Sequence, residues 1–254
     1  MIDKTDALVL RVNPYSRSSH IVTWLTPSEG KIATIIKGAM RPKSAFLGQY
    51  DLFYTCELLY YSKERNGLHI ARECTPVDTR TAFRSDWKAA ACASYVSDIM
   101  QRVSFRGGHQ PELFDFCTGA LDLLCEHTPK VQFLFWFELQ LAGHLGFSPR
   151  LSECLNCGTT TEESSTYKLS YESGGLVCSN CMTDEDGYKY ALVGPDLLPM
   201  LRLWQSTDYH RFQNNLRLST KQLLALKEIL GRFMSYHLEI NIVSRQKAFE
   251  VMTH

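Results

Sequence analysis

The sequence predicts an α+β protein: a five-stranded β-barrel at the N-terminus, then an α-helical domain with a four-cysteine metal knuckle inserted in it. Three observations carry this. The first 75 residues read as short β-branched runs separated by turn signals, most of the remainder has helical apolar spacing, and two Cys-x2-Cys pairs interrupt the helices. At 254 residues with 44% apolar and 21% charged residues, the composition is that of an ordinary globular chain.

The strand runs are ALVLRV (7–12), HIVTWLT (20–26), KIATIIK (31–37), YDLFYTCELLYY (50–61) and LHIAREC (68–74). Asn13-Pro14, the run Pro27-Ser28-Glu29-Gly30 and Asn66-Gly67 separate them, the last two as hairpin turns. Five strands in so short a stretch suit a small closed barrel. The OB-fold is the common five-stranded case, and periodicity alone leaves an SH3-like barrel open.

Thr79 or Ser85 is the expected cap of the next helix, whose apolar stripe runs through Phe83, Trp87, Ala90, Ala91, Tyr95 and Ile99. A second helix over 111–126 starts on Pro111, which a first turn tolerates, and carries Leu113, Phe114, Cys117, Leu121 and Leu124. Segment 130–146 is apolar nearly all round and should be a buried central helix, closed by Gly146 and Pro149. After the cysteine region, Pro195 opens a helix bearing Leu197, Leu198, Leu201 and Trp204. Ser219-x-x-Gln222 is a capping-box signature opening the last one, with Leu223, Leu226, Leu230, Phe233 and His237 on one stripe. The domains are therefore 1–78 (barrel), 79–149 (helices), 150–190 (metal element) and 191–254 (C-terminal helices).

The metal element reads CLNC, twenty residues, then CSNC, so Cys154, Cys157, Cys178 and Cys181 form two knuckles at zinc-ribbon spacing. Four thiolates fill a tetrahedral shell and leave no place for water or substrate. That favours a structural zinc, with a rubredoxin-like iron second. The competing reading is two disulfides or free thiols. The polar stretch 159–175 packs no core by itself and needs the metal to fold. The other five cysteines, Cys56, Cys74, Cys92, Cys117 and Cys125, sit among apolar neighbours as small core residues of a reducing compartment.

Enzymatic motifs are not found. KGAMRPKS (37–44) ends like a phosphate-binding loop, but Lys37 and Pro42 stand where its two glycines belong. The eight histidines are dispersed and away from ligand spacing, and Glu112, Asp115 and Asp122 read as a solvated helix face. The most apolar run, 131–147, is broken by Gln132, Glu138 and Gln140 and is short for a membrane span. With no signal peptide at the start, a cytoplasmic protein is expected.

The net charge is zero but unevenly spread. Residues 1–80 hold eleven Lys/Arg against eight Asp/Glu, 150–190 three against seven, and 191–254 eight against five. Lys37, Arg41 and Lys43 fall within seven residues on the loop after the third strand, with Gly38 for a sharp turn and Pro42 for stiffness. On such a barrel, loops and strand faces carry cations for phosphates and rings for stacking. Arg11, Arg17, Lys63, Arg65 and Arg72 add charge, and Tyr15, Trp24, Tyr50 and Tyr54 are the candidate rings.

Several stretches occur in one order: ALVLR (7–11), NPYSRSSHIVTWLTPSEGKIATIIKGAMRPKS (13–44), PELFDF (111–116), FELQLAGHLGFSP (137–149), CLNCG (154–158), SGGLVC (173–178) and Ser244-Arg245. Together they resemble the RecO family of bacterial recombination mediator and repair proteins. The resemblance implies an N-terminal OB domain, a helical domain with a zinc-binding element, and a non-enzymatic activity with no catalytic residue. That activity is binding single- and double-stranded DNA, annealing complementary strands, and helping RecA displace single-strand-binding protein together with RecR. It further implies the tail of single-strand-binding protein as a partner, and a bacterial cytoplasmic, nucleoid-associated location. Phosphate contacts then fall to Lys37, Arg41 and Lys43, with Arg11 and Lys31 as secondary ones. Met40 and Ala45 dilute the charge of the loop relative to the family pattern. The alternative is a zinc-ribbon adaptor that bridges proteins without touching DNA.

Overall fold

The structure is a computed structural model that describes residues 2–63, 67–182, 189–211 and 217–253. By contacts the chain forms two compact units, Met1–Pro129 with Ile242–His254, and Lys130–Asn241. Among the described residues no helix is long and apolar enough to cross a membrane.

The first unit opens with strands β1 (Ile2–Ser16), β2 (Ser19–Thr26), β3 (Gly30–Ile36), β4 (Thr55–Tyr61) and β5 (Leu68–Asp78). They close into a barrel in the order β1-β2-β3-β5-β4, antiparallel except where β3 meets β5. This is the OB-like barrel the strand count suggested, and it settles the choice against the SH3-like alternative. The interior is filled by Val9, Val22, Trp24, Ile32, Ile36, Cys56, Leu58 and Tyr60. Trp24 is fully buried and donates its indole N–H to Thr34 Oγ1 at 2.9 Å, so the one polar atom it brings inside is satisfied.

The fourth strand begins five residues later than its β-rich sequence suggests. Asp51 Oδ1 accepts from the amide of Leu52, the amide of Tyr54 donates to Asp51 O, and Phe53 has φ of 70°. That left-handed residue cannot continue a strand. It turns the Phe53 ring edge-on to Phe83, 5.2 Å between centroids. The antiparallel pairing of β4 with β5 is as expected, while Asn66 of the expected Asn66-Gly67 turn and the candidate cation Arg65 lie outside the described residues.

Leaving β5, the chain makes a 3-10 turn at Thr81–Arg84 and enters α1 (Trp87–Val103). The cap is Asp86, not Thr79 or Ser85: its carboxylate accepts from the amides of Lys88 and Ala89 at 2.9 and 3.0 Å. The intervening turn takes Phe83 out of the helix; Tyr95 and Ile99 of the expected stripe are buried, joined by Ala89, Cys92, Val96 and Met100, while Trp87 is exposed. Helix α2 spans Pro111–Glu126 as expected, with Pro111 in its first turn. The C-terminal helix of the chain, α6 (Val243–Thr253), packs on α1, where Ser244 Oγ donates to Asp98 Oδ2 at 2.6 Å.

One side chain joins the barrel to α2. Arg80, itself left-handed at φ 40°, keeps a side chain only 3% exposed. Its guanidinium donates to Asp122 Oδ1 of α2 at 2.7 Å, and to Phe53 O and Thr55 Oγ1 at 2.8 Å each. Asp122 is thus taken up by an ion pair rather than lying on a purely solvated acidic face.

The second unit is built on α3 (Gln132–His144), buried nearly all round as its composition requires. Helix α4 (Leu198–Ser206) stacks Trp204 on Phe135 with 5.3 Å between centroids. Gln140 Nε2 donates to Trp204 O at 2.7 Å. Helix α5 (Thr220–Leu238) starts on the expected capping box: Ser219 Oγ accepts from the Gln222 amide, and Gln222 Oε1 from that of Ser219. Strands β6 (Tyr167–Ser170), β7 (Gly175–Val177) and β8 (Tyr190–Val193) form a small sheet, order β7-β6-β8. The stretch 159–175, expected to pack no core, therefore contributes Tyr167, Leu169 and Tyr171 to the interior, beside Leu176 and Val193 of the neighbouring strands.

Replacing Arg80 with Met should leave the Phe53 carbonyl, the Thr55 hydroxyl and Asp122 without their donor. We expect a loss of about 2–4 kcal/mol. Asp122→Asn, at a half-exposed partner, should cost less than about 1 kcal/mol. Urea denaturation of the three proteins tests this; equal midpoints for Arg80→Met and wild type would refute the role given to Arg80.

Candidate nucleic-acid interface and metal centre

The basic loop after β3 is held, not free. The amide of Met40 donates to Ser18 O at 3.1 Å and that of Gly38 to Ser19 Oγ at 3.2 Å, so the β1–β2 hairpin pins its start. Ala39 is buried, and Phe46 and Tyr50 pack against the barrel core. Turn bonds from Arg41 N to Gly38 O and Ser44 N to Arg41 O fold the segment between these anchors. Lys37, Arg41 and Lys43 are all exposed on it. A pinned loop presents cations with less ordering left to do when an anion arrives.

Lys31 stands at the other end of β3, and Arg11 on β1 is in register, through Thr23, with Ala33 in the middle of that strand. Lys31 is the second residue of β3 and Lys37 follows its last, so roughly 20 Å of strand separates these two lysines. A β-bulge aims Arg11. Val9 pairs with Trp24 and Arg11 with Thr23, leaving Leu10 as the extra residue. Val9 and Trp24 fill the interior, so Arg11 takes the outer face with Thr23 instead of pointing into the core.

The bulge, the start of β3 and the end of α1 enclose a cleft of about 360 Å³ lined by Arg11, Thr23, Lys31, Gln101, Arg102 and Arg106, with Ile32 and Ala33 behind them. Segment 104–110 forms its side by binding the β2–β3 turn: Lys31 N donates to Phe105 O, Gly107 N to Glu29 O, and Gln110 N to Pro27 O, at 2.9, 3.1 and 2.9 Å. Gly30 is obligatory there, since a Cβ would come within 2.6 Å of Phe105 O and its φ is 61°. Lys31 Nζ donates to Gln101 O near the helix end. Its pKa is lowered, first by burial and then by the charge of Arg106. Arg11 Nε donates to Asn13 Oδ1 at 3.0 Å, and Arg102 pairs with Asp98 at 3.3 Å.

Of the candidate rings only Tyr15 is a surface side chain, at 60% exposure; Trp24 and Tyr54 are buried and Tyr50 is half-buried, its hydroxyl 2.7 Å from His20 Nδ1. Alternation on strands puts Trp24 inward, a position that ring composition alone does not reveal. An exposed ring the sequence reading passed over is Tyr61, with Arg72 6.0 Å above it.

The four cysteines of the second unit come together. Their sulfurs all lie within 4.8 Å of one another, with Cys157 Sγ and Cys178 Sγ 3.8 Å apart. A tetrahedron with metal–sulfur bonds of about 2.3 Å has its sulfurs about 3.8 Å apart, so the set can hold a metal ion. Local structure builds each knuckle. Cys154 N donates to Thr159 O and Gly158 N to Cys154 O, a reversal that Gly158 allows at φ 70°. Cys181 N donates to Cys178 O, and Leu155 N to Leu176 O draws the knuckles together.

The thiols are tuned unequally. Burial pushes Cys154 up, but the amides of Cys178, Cys157 and Asn156 outweigh it and hold the thiol at about 6. The Thr159 hydroxyl and amide lower Cys157. Cys181 is raised to about 12 by the neighbouring sulfurs of Cys157 and Cys178. Four thiolates so close repel one another, and a central cation is what lets all of them ionise. Arg202 of α4 secures the element from below, donating to Leu151 O, to Thr161 O at 2.9 Å and to the Thr161 hydroxyl.

Family models for the Recombination protein O N terminal and C terminal match residues 1–80 and 84–246. The chain belongs to the RecO family. The DNA repair protein RecO of Bacillus subtilis is 26% identical over 246 residues, covering 97% of this chain and 93% of that protein. That of Exiguobacterium sibiricum is 28% identical over 247 residues, covering 97% and 96%. The likeness therefore spans both units of this RecO-family chain, the barrel with its basic loop and the cysteine element alike.

Cys157→Ser should lower bound metal per chain and the melting temperature together, because the exposed ligand closes the shell. Elemental analysis and a thermal melt on the same sample check this, and wild-type values for both would refute the site.

Proposed function

We propose that the protein is a DNA-binding recombination mediator with no bond-making step. It would bind single- and double-stranded DNA, anneal complementary strands, and assist RecA loading on DNA coated with single-strand-binding protein. The observation that carries this is the pinned, exposed trio Lys37, Arg41 and Lys43 on an OB-like barrel, in a family whose relatives are called DNA repair proteins. Cations on two strands neutralise phosphates and release their counterions, which lowers the repulsion that opposes annealing. Arg11 and Lys31 would make further phosphate contacts.

In this reading residues 1–78 bind DNA, and the helices of 79–149 and 191–254 serve as the platform for RecR and for the tail of single-strand-binding protein. The 150–190 element holds a structural zinc on Cys154, Cys157, Cys178 and Cys181. Its acidic composition makes it a brace rather than a grip on DNA. The setting is the bacterial cytoplasm and nucleoid.

The triple variant Lys37→Ala, Arg41→Ala, Lys43→Ala should weaken binding to a duplex. It should also flatten the dependence of log affinity on log salt by about 0.9 for each phosphate no longer neutralised, roughly 3 in all. Annealing of complementary oligonucleotides should slow in parallel. An unchanged slope with unchanged annealing would overturn the assignment of the loop.

A further inference from the structure

The cleft beside the barrel gathers cations that the sequence keeps about a hundred residues apart. Arg11 comes from the bulge in β1, Lys31 from the start of β3, Arg102 from the last turn of α1, and Arg106 from the segment stitched to the β2–β3 turn. Its described lining holds four cations, two neutral polar side chains, Thr23 and Gln101, and no carboxylate. Asp98 pairs with Arg102 at 3.3 Å and offsets that one cation, and it also accepts from Ser244; Asp3 and Glu29 act on His69, as Arg106 does, and on Tyr60. The Arg106 guanidinium has no carboxylate partner among the described residues; it lies against Gly67, where a Cβ would come within 2.5 Å of Nη1.

Like charges gathered in one cleft repel one another; the pKa of Lys31 is lowered mainly by burial, and the charge of Arg106 adds to it. Surface loops normally relieve such repulsion by letting side chains swing apart. Here three backbone hydrogen bonds and the Lys31–Gln101 contact hold the walls in place. What compensates such a set is an anion. The volume, about 360 Å³, is at the low end of ligand sites, roughly 300–1,000 Å³. It suits one phosphate with its attached sugar better than a whole nucleotide cofactor.

We propose that this cleft is a second phosphate subsite, in which Arg11, Lys31, Arg102 and Arg106 take a backbone phosphodiester of bound nucleic acid. The proposal rests on the DNA-binding reading above and adds to it: α1 and the segment after it become part of the binding face, and a bound strand spans from the Lys37–Lys43 loop along β3 to the cleft.

The test compares Arg102→Ala/Arg106→Ala with wild type and with the basic-loop triple variant, using single-stranded oligonucleotides over a salt series and, separately, inorganic phosphate in a thermal-shift assay. Both arginines are exposed, so a wild-type circular dichroism spectrum is expected and is checked first. The double variant should bind a long oligonucleotide about tenfold more weakly at low salt, with a slope lower by about 0.7–1.4. Arg102→Lys/Arg106→Lys, which keeps the charges, should recover most of the slope. Phosphate should raise the melting temperature of wild type more than that of the alanine double variant. If the double variant matches wild type in affinity and slope while the loop variant does not, the cleft is overturned and the DNA-binding reading stands. If wild type responds to phosphate through the cleft yet binds no oligonucleotide at low salt, the nucleic-acid source of the phosphate is overturned.

Discussion

Arg80 is the side chain on which the architecture of the first unit turns. It stands where the chain leaves β5 for the helices, and its guanidinium reaches the Phe53 carbonyl, the Thr55 hydroxyl and Asp122 of α2. A buried guanidinium is tolerable only when its donors are used, and the left-handed backbone at Arg80 is kept because those bonds over-determine it. The same contacts define where β4 begins, since the carbonyl that Arg80 holds belongs to the residue at φ 70° that ends the preceding loop. Fixing α2 to the barrel also fixes the segment before it. The bonds from Lys31, Gly107 and Gln110 then lay that segment along the β2–β3 turn. Cations on four separate elements therefore share one rigid frame.

The second unit meets a different constraint. Its cysteine element carries more acids than bases and little apolar surface, so burial alone gives it weak support. Two things compensate. The small sheet buries Tyr167, Leu169, Leu176 and Val193, and the four sulfurs converge at a separation suited to a tetrahedral ion. Arg202 then ties the base of the element to α4 through backbone carbonyls of Leu151 and Thr161. These bonds tie the element to α4 through groups other than the four sulfurs.

Much of this is legible from residues alone, and what is not has identifiable causes. β-Branched alternation, cysteine spacing and the Ser219–Gln222 box are local signals, and each leads to the correct element. The start of β4 departs from its sequence signal because Tyr50, Leu52 and Phe53 have strand propensity, while the conformation of Phe53 is dictated by packing on Phe83. The Asp86 cap is hidden behind a 3-10 turn that shifts the helical phase. Helix α6 has a weak amphipathic pattern and owes its place to packing on α1. At the candidate interface, Lys37, Arg41, Lys43, Arg11 and Lys31 are all readable as a basic cluster. Arg102 and Arg106 are not, because only the tertiary fold brings them to β3. The rings Trp24 and Tyr54 lie in the core rather than at the surface, because aromatic residues serve cores as well as they serve stacking platforms.

A formal net charge of zero looks at first like an argument against a polyanionic partner. Screening removes its force. At 0.1 M salt the Debye length is about 10 Å, so a phosphate at the barrel feels the charges within about that distance and little of the remainder. No acid falls among residues 37–43, and none is among the described residues that line the cleft. On the proposed reading, what a phosphate would meet is the local arrangement: the loop cations beyond one end of β3 and the cleft cations along its first half, each set beside segments held by backbone hydrogen bonds. Neutral overall charge has a consequence of its own, because it limits long-range attraction and leaves recognition to short-range contacts. On the function proposed above, such a surface would discriminate by geometry rather than by bulk attraction, which is what selective engagement of a strand already covered by another protein would require.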